Sequence, residues 1–220
     1  MIYPVNEIFQ TIQGEGWHTG VPAIFIRLQG CDVGCAWCDT RHTWAVNPDH
    51  RIEVTDLLQS APATAWASMS PTHIVEVVRQ PKWTAKWIVI TGGEPAMHDL
   101  RPLCEALEQA GYQIQLETSG TYPVQVSAAT WVTVSPKIGM RGGHVIQACA
   151  LARADEIKHP VAREEHIAAL EALLKQVSSK PRVCLQPISQ KPAATALAMR
   201  VCIEKNWRFS AQMHKYLEIE

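Results

Sequence analysis

The chain has 220 residues and a formal net charge of −1, with 47% apolar residues. This balance gives no electrostatic basis for wrapping nucleic acid or lying on an anionic membrane. The sequence has no run of 18 apolar residues, so no membrane span is predicted. The first residues lack the basic and apolar regions of a signal peptide, and we expect a cytoplasmic protein.

Apolar segments alternate with segments of helical periodicity along most of the chain. Predicted strands cover residues 23–28, 87–91, 112–117, 131–134, 156–158, 183–186 and 208–212. Predicted helices cover residues 72–79, 99–110, 164–177 and 194–206. Near-continuous apolar strands that alternate with helices indicate a parallel sheet covered on its outer face.

These elements predict an α/β fold, an incomplete and open TIM-like β/α barrel with about six parallel strands. Six or seven strands are fewer than the eight of a closed barrel, and the chain is shorter than such barrels usually are. We predict a single domain over residues 1–220. The proline-rich segment at about 42–83 breaks the alternation and is predicted to be an insertion.

Polar and glycine residues follow the predicted strands repeatedly. In such folds the working residues gather at the carboxyl ends of the strands, so these residues predict a shared site. They include Gln29 and Gly30, Thr91 to Glu94, Glu117 to Gly120, Ser135 to Lys137, and Gln186.

Three cysteines form the most informative pattern, Cys31-x3-Cys35-x2-Cys38. Structural zinc sites use four closed ligands and iron–sulfur clusters generally use four thiolates, so a trio leaves one metal position open. The spacing favours a three-thiolate iron–sulfur cluster. The alternatives are a Cys3His zinc site completed by His42, a disulfide and inert core cysteines. The four remaining cysteines are predicted to be buried small hydrophobes: Cys104, Cys149, Cys184 and Cys202.

Gly92 and Gly93 precede Glu94 at the end of the second predicted strand. Glycine permits a sharp turn and a close approach to a ligand. Exposed N–H groups in such a turn can form an anion-binding nest, and Glu94 can pair with an amine. Taken alone, the segment favours a purely structural turn, and its place at the same rim as the three cysteines favours a role in binding.

The cysteine pattern, with Trp37 just before its last cysteine and a Gly-Gly-Glu-Pro segment later, resembles the radical S-adenosylmethionine (SAM) enzymes. The likeness extends over almost the whole chain. Seven segments make the likeness more specific, to the ring-contracting family of queuosine biosynthesis. They lie at residues 9–16, 25–28, 38–40, 91–95, 117–120, 135–137 and 214–215. The long segment after His42 is the one departure from this likeness.

The resemblance implies a lyase that contracts the ring of 6-carboxy-5,6,7,8-tetrahydropterin. A [4Fe-4S] cluster on Cys31, Cys35 and Cys38 would bind SAM through its fourth iron. An electron from the cluster would generate a 5′-deoxyadenosyl radical that takes hydrogen from C6 of the pterin. Ring contraction with loss of ammonia would give 7-carboxy-7-deazaguanine, and SAM would be regenerated. This chemistry needs a radical initiator, so no general acid or base is assigned.

The resemblance also implies individual roles. SAM would be bound by Trp37, Cys38, Asp39, Gly93, Glu94, Ser135, Pro136 and Lys137. The pterin would be bound by Ile12, Gln13, Gly14, Arg27 and Thr91, with Arg27 clamping its carboxylate. Thr40 would ligate Mg²⁺ beside that carboxylate. The family further implies an electron donor such as flavodoxin and a homodimer, with no nucleic-acid or membrane partner.

Alternative roles remain open for five of the singled-out residues. Arg27 could be a buried ion-pair partner, Thr40 a helix cap and Lys137 a solvated lysine. Glu117 could pair with Lys137 or Arg141, and His214 could be a packed terminal histidine.

Two other functions also fit parts of the pattern. A radical SAM activase for a glycyl radical protein shares the cysteine loop, but it does not explain residues 10–16 or a carboxylate clamp at Arg27. A zinc-stabilised binding protein would use His42 as its fourth ligand.

Overall fold

The computed structural model describes residues 1–177, 179–188 and 191–219. Nine strands form one sheet. They are β1 (Tyr3–Ile12), β2 (Pro22–Leu28), β3 (Ala67–Met69), β4 (Trp87–Gly92), β5 (Gln113–Thr118), β6 (Trp131–Val134), β7 (Glu156–Val161), β8 (Arg182–Pro187) and β9 (Arg208–Phe209).

Helices fill most of the connections between the strands. They are α1 (Val54–Leu57), α2 (Pro71–Val78), α3 (Arg101–Gln109), α4 (Ala148–Arg153), α5 (Glu164–Leu174), α6 (Pro192–Lys205) and α7 (Met213–Leu217). Short 3-10 turns lie at Arg41–Thr43, Pro48–His50 and Pro95–Met97.

The strand order is β3-β1-β2-β4-β5-β6-β7-β8-β9. From β2 to β9 every neighbouring pair is parallel, whereas β1 pairs antiparallel with both β2 and β3. The sheet does not close, because β3 and β9 are its two edges. The predicted open TIM-like α/β fold is confirmed, and the antiparallel β1 and β3 are additions that the sequence did not predict.

The strands form where apolar residues are nearly continuous. In β4, Ile88, Val89 and Ile90 are fully buried, as expected for a parallel strand covered on both faces. The helix α3 buries Leu103 and Leu107, one turn apart, against this sheet. It ends before Gly111, whose φ of +86° is the left-handed conformation that terminates helices.

The segment at 42–83 contributes to the sheet and to the core. Its strand β3 pairs with β1, and its helix α2 buries Ile74, Val77 and Val78 in the same apolar cluster as α3. Ser70 begins α2 by accepting a hydrogen bond from the amide of His73 at 3.2 Å. The single domain over 1–220 and the insertion at about 42–83 both stay predictions.

The cysteines outside the loop behave largely as predicted. Cys104, Cys184 and Cys202 are buried, but Cys149 is exposed, so the prediction of burial is wrong there. Cys149 is the second residue of the six-residue helix α4, where its side chain faces away from the core. Within the described residues, no helix has the length and apolar character needed to cross a membrane.

Candidate active site

A cavity of about 520 Å³ opens inside the sheet, a usual size for a small-molecule site. Every predicted site residue except Pro136 lines it, and Pro136 is buried between Ser135 and Lys137, which both do. The predicted residues that the fold brings together here are Ile12, Gln13, Gly14, Arg27, Cys31, Cys35, Trp37, Cys38, Asp39, Thr40, Thr91, Gly93, Glu94, Ser135 and Lys137.

The cysteine loop, residues 31–38, begins just beyond the carboxyl end of β2. The amide of Cys31 donates to the carbonyl of Trp44 at 3.0 Å, and Trp44 Nε1 lies 3.3 Å from Cys38 Sγ. The amide of Cys38 donates to the carbonyl of Cys35 at 3.3 Å, which closes a tight turn. These bonds fix the backbone of the loop, and all three cysteines line the same cavity.

Burial disfavours the thiolate form at two of these cysteines. It raises the pKa of Cys31 to about 11, and the nearby Glu94 carboxylate acts in the same direction. Burial also raises the pKa of Cys35, although Lys137 opposes the effect. A positively charged metal group in the loop would supply the charge that thiolates need here.

The donor set fits an iron–sulfur cluster better than a single zinc ion. In the part of the chain that the structure describes, no three His, Cys, Asp or Glu side chains are arranged to share one metal ion. His42, the proposed fourth zinc ligand, does not line the cavity. Three thiols that each bind a different iron do not need to converge on one point. The arrangement is therefore compatible with a cluster and does not support the Cys3His site.

The glycines at the end of β4 bring it into direct contact with the cysteine loop. A Cβ on Gly93 would lie 2.1 Å from the carbonyl oxygen of Gly30, so only glycine fits. The amide of Gly93 donates to Leu28 O, and that of Glu94 donates to Gly30 O, both at 2.8 Å. The predicted anion nest is wrong for these two amides, because both already have backbone acceptors.

Glu94 connects the ends of two strands. Its carboxylate accepts hydrogen bonds from Thr118 Oγ1 at 2.6 Å, from the Ser119 amide at 2.7 Å and from the Ala96 amide at 3.0 Å. The residue is 1% exposed. Three donors leave about one acceptor position on the carboxylate, and Glu94 is one of the residues that line the cavity.

Lys137 is half-buried rather than solvated. Its Nζ lies 2.5 Å from Ser135 Oγ, and burial lowers its pKa. Thr40 precedes the 3-10 turn Arg41–Thr43, but its side chain makes no capping bond, so the helix-cap alternative is not supported. Thr40 Oγ1 lies 3.7 Å from Cys38 Sγ and faces the cavity.

Arg27 lines the cavity and also forms an ion pair with Glu7, its neighbour across β1 and β2. Its guanidinium lies 5.7 Å from the centre of the Phe9 ring. Because Arg27 carries five N–H donors, one carboxylate partner leaves donors for a second anion. Arg27 can therefore pair with Glu7 and bind the substrate carboxylate at the same time.

A buried ion triad lies farther into the cavity and was not predicted. Lys158 Nζ lies 2.7 Å from Glu15 Oε2 and 2.9 Å from Glu117 Oε2. The partner of Glu117 is thus Lys158, and the predicted pairing with Lys137 or Arg141 is wrong. Burial alone raises the pKa of Glu15, but the Lys158 ammonium overcomes this and lowers it to about 2.

Glutamines complete the surroundings of this triad. Gln13 Nε2 donates to Glu117 at 3.0 Å, while Gln186 and Gln212 donate to Glu15 at 3.2 and 2.9 Å. Gln13 is 2% exposed, and its amide also contacts Gln115. The sequence signal that could have indicated Lys158 is the pair of charged residues, Glu156 and Lys158, on either side of Ile157 in a predicted strand of a covered sheet.

The carboxyl-terminal segment closes the gap at the open side of the sheet. The amide of Met213 donates to the carbonyl of Gly14 at 2.9 Å, and a Cβ on Gly14 would lie 2.7 Å from His214 Nδ1. Lys215 pairs with Asp39 at 3.1 Å. His214 therefore lines the cavity beside the predicted pterin contacts.

An open α/β barrel that directs three loop thiols into its cavity, with a Gly-Gly-Glu turn beside them, defines the chain as a radical SAM enzyme. No protein-family model matches the chain. Over its full length it is 54% identical to the 7-carboxy-7-deazaguanine synthase of Escherichia coli K12 and 45% identical to that of Buchnera aphidicola, with 100% of each relative covered. The chain belongs to the 7-carboxy-7-deazaguanine synthase family, whose members are lyases of queuosine biosynthesis.

A solved structure agrees with this assignment. The crystal structure of QueE from Escherichia coli matches with a TM-score of 0.94 and 51% identity, covering 97% of this chain and 95% of that one. A more distant synthase from Synechocystis is 36% identical over 99% of this chain and 93% of its own length.

Proposed function

We propose that the cavity converts 6-carboxy-5,6,7,8-tetrahydropterin to 7-carboxy-7-deazaguanine with loss of ammonia, the ring contraction of the synthase family. One observation carries the proposal. The three thiols of the cysteine loop and the polar side chains predicted to hold the pterin open into the same 520 Å³ cavity. A radical generated at the loop can therefore reach a substrate held among those side chains without leaving the protein.

Cys31, Cys35 and Cys38 would hold a [4Fe-4S] cluster whose fourth iron is left for SAM. When bound, the cluster supplies an electron that cleaves SAM to a 5′-deoxyadenosyl radical. The loop keeps the thiols half-buried or buried, which excludes water from this position. The contact between Trp44 Nε1 and Cys38 Sγ supports this assignment, because hydrogen bonds to the sulfur ligands help to set the reduction potential of such clusters.

SAM would lie against the strand ends beside the loop. Trp37 and Asp39 would face its adenine region. Gly93 would contact SAM from the end of β4, which its lack of a Cβ allows to pack directly against Gly30 and Cys31. Glu94 has one acceptor position left for the amino group, because its other positions are used by Thr118, Ser119 and Ala96. Ser135 and Lys137 would contact SAM from the next strand, with Pro136 fixing the turn.

The pterin would lie between Arg27 and the hairpin that follows β1. Arg27 has guanidinium donors left beyond its bond to Glu7 and would bind the substrate carboxylate bidentately. Thr40 Oγ1 donates to the carbonyl of Gly92 at 3.5 Å, and its lone pairs would ligate Mg²⁺ beside the substrate carboxylate, because this hard cation prefers oxygen. Thr91, Ile12 and Gly14 line the same space.

The role proposed for Gln13 is more specific than that of its neighbours. Its side-chain amide donates to Glu117 and Gln115 and accepts from the Glu15 amide. Gln13 would therefore hold Glu117 in place for the pterin as well as contribute to the cavity wall. No side chain is assigned as a general acid or base.

The proposed partners follow the family. They are an electron donor such as flavodoxin and a second copy of the chain, with no nucleic acid or membrane. A reducing cytoplasm is the proposed compartment, and all seven cysteines are free, as such a compartment requires.

Anaerobically reconstituted protein tests the reaction. It is incubated with SAM, a reductant, Mg²⁺ and the carboxytetrahydropterin, and product is measured by mass spectrometry. We expect 7-carboxy-7-deazaguanine without stoichiometric loss of SAM. No product, or loss of SAM in proportion to turnover, contradicts the proposal and favours an activase of the glycyl radical type. A colourless protein that holds one zinc contradicts both.

A further inference from the structure

The buried triad of Glu15, Lys158 and Glu117 lines the cavity, and the function proposed above gives no role to Glu15 or Lys158. Its members come from three distant parts of the chain: the hairpin after β1, the strand β5 and the strand β7. The Lys158 side chain is 5% exposed, whereas Glu15 and Glu117 are 17% and 19% exposed. The ammonium thus lies behind two carboxylates that reach the cavity.

A buried ion triad is a poor way to stabilise a core. Removing charges from water costs several kcal/mol per ion, and apolar residues of similar volume often stabilise a protein as well or better. The triad also carries two negative charges against one positive charge. Such an arrangement at a cavity wall indicates a role in binding, for which the excess negative charge is useful.

The hydrogen-bond count shows what this wall offers to a ligand. Glu15 accepts from Lys158, Gln186 and Gln212, and Glu117 accepts from Lys158, Gln13 and Gln115. An ionised carboxylate has about four acceptor positions, so each keeps one. The Lys158 ammonium holds the two carboxylates close to each other, and each of them can accept one further hydrogen bond. Two such acceptors suit a planar group with several N–H donors, such as the edge of a 2-amino-pyrimidinone ring.

We propose that Lys158 is a positioning residue that holds Glu15 and Glu117 together as a paired acceptor for the N–H-rich edge of the substrate. This inference rests on the proposed function, because it assumes a pterin in the cavity. It adds a determinant of ring orientation: the substrate carboxylate is bound at Arg27, and the amino-pyrimidinone edge is bound at the two carboxylates.

Other titratable groups surround the triad. Lys137 follows β6, His214 belongs to α7, and Glu156 and Cys184 lie on β7 and β8. Lys158 is the one among them that forms ion pairs with both carboxylates within the described residues. Without Lys158, two partly buried carboxylates would face each other, and their repulsion would favour a proton shared between them.

The test is substrate binding to the SAM-loaded, unreduced holoenzyme, measured by equilibrium dialysis from pH 6 to pH 9. Wild-type protein should bind with a dissociation constant that changes little over this range. Lys158→Met should weaken binding roughly tenfold or more at pH 7, since charge-assisted hydrogen bonds are lost. The difference should narrow as pH rises, because the shared proton dissociates and both carboxylates accept again.

Two further variants separate positioning from folding. Lys158→Arg keeps the charge and should restore a dissociation constant that is flat with pH. Lys205→Met removes an exposed lysine that pairs with Glu171 at 2.7 Å on the outer helices, and it should change nothing. A Lys158→Met protein with wild-type affinity and a flat pH profile overturns the inference.

A double variant keeps the test decisive if Lys158→Met does not fold. In Glu15→Gln/Lys158→Met only one carboxylate of the triad remains, so the repulsion between Glu15 and Glu117 is absent. It should bind substrate within about twofold of Glu15→Gln alone. A much larger loss contradicts the inference. Failure of the proposed function has a different signature, since the wild-type protein itself would neither bind the carboxytetrahydropterin nor convert it.

Discussion

The cysteine loop and the buried triad lie on the same cavity but are organised in different ways. The loop, residues 31–38, has no regular secondary structure, and its thiols have few protein partners. The triad is fixed by strands and by hydrogen bonds from four glutamines. The loop is proposed to hold a cluster that would complete its arrangement, whereas the triad is already held in place by contacts within the protein.

The difference follows from what each region has to bind. Metal–thiolate bonds are strong enough to order a loop when the cluster assembles. A neutral heterocycle offers only hydrogen bonds, so the acceptors must be in place before it arrives. The comparison predicts that changes in the loop affect cofactor content, and that changes around the triad and the strand ends affect stability and ligand affinity.

The largest effect is expected from Cys35→Ala. Two thiolates cannot hold the cluster, so activity should fall to the level without enzyme, while the protein still folds. Iron content and visible absorbance after anaerobic reconstitution measure the loss. The exposed Cys149→Ala serves as the control and should retain full iron content. A brown, active Cys35→Ala protein would show that the loop does not hold the cluster.

Glu94→Gln should affect both stability and SAM binding. One of the donors at Thr118, Ser119 and Ala96 would face an amide NH₂ group, which costs about 1–3 kcal/mol. Tm should fall by several degrees, and SAM affinity should drop roughly tenfold or more if the carboxylate also binds the amino group. The exposed Glu204→Gln is the matched control. Unchanged SAM affinity would remove Glu94 from the SAM site.

Two glycines with nearly the same backbone conformation test the preorganised region. Gly16 and Gly139 have φ values of +68° and +66°, so alanine is strained at both by about 1–2 kcal/mol. At Gly16 the new Cβ would also lie 2.4 Å from Glu156 Oε1, whereas Gly139 has open space.

We therefore expect Gly16→Ala to be destabilised by about 1–3 kcal/mol more than Gly139→Ala, measured by urea unfolding. The reason is that Glu156 accepts hydrogen bonds from the Trp17 amide and Thr133 Oγ1, both at 3.0 Å, and would have to move. Equal losses of unfolding free energy in the two variants would mean that Glu156 and its hydrogen-bond partners rearrange without cost.

The last prediction concerns the stability of the protein at acid pH, where a single side chain is changed and the active-site cavity is left intact. His159 follows Lys158 on β7 and lies on the opposite face, where its Nδ1 is buried without a hydrogen-bond partner. Burial lowers its pKa from 6.5 to about 4. Folding therefore favours the neutral imidazole of His159. The stability that this preference contributes is fully present above pH 6.5 and is lost as the pH falls from 6.5 to 4. The loss is at most about 1.4 kcal/mol per pH unit.

The His159→Gln variant should lack this component. Its unfolding free energy, measured against wild type between pH 7 and pH 4.5, should decline less steeply. Parallel pH profiles for the two proteins would contradict the assignment and place the acid sensitivity elsewhere in the fold.

Much of the fold was predictable because parallel strands are nearly continuous apolar runs. Strand β6 was predicted at its observed limits, and β2, β4, β5 and β8 to within one or two residues. The antiparallel β1 was missed because polar residues are buried along it: Asn6 is 5% exposed and is satisfied by the carbonyls of Ala63 and Ala65. That compensation comes from residues 57 and 59 positions away, which no local pattern shows.

The same contrast holds for the site. The sequence by itself determined the three thiols, the Gly-Gly-Glu turn and the order of the strands that carry them, since local spacing and apolar periodicity encode these features. Only the tertiary structure placed Lys158 between Glu15 and Glu117, residues 143 and 41 positions away. A buried charge is tolerable only where the fold supplies its partners, and those partners are brought together by the curvature of the sheet rather than by any segment of the chain.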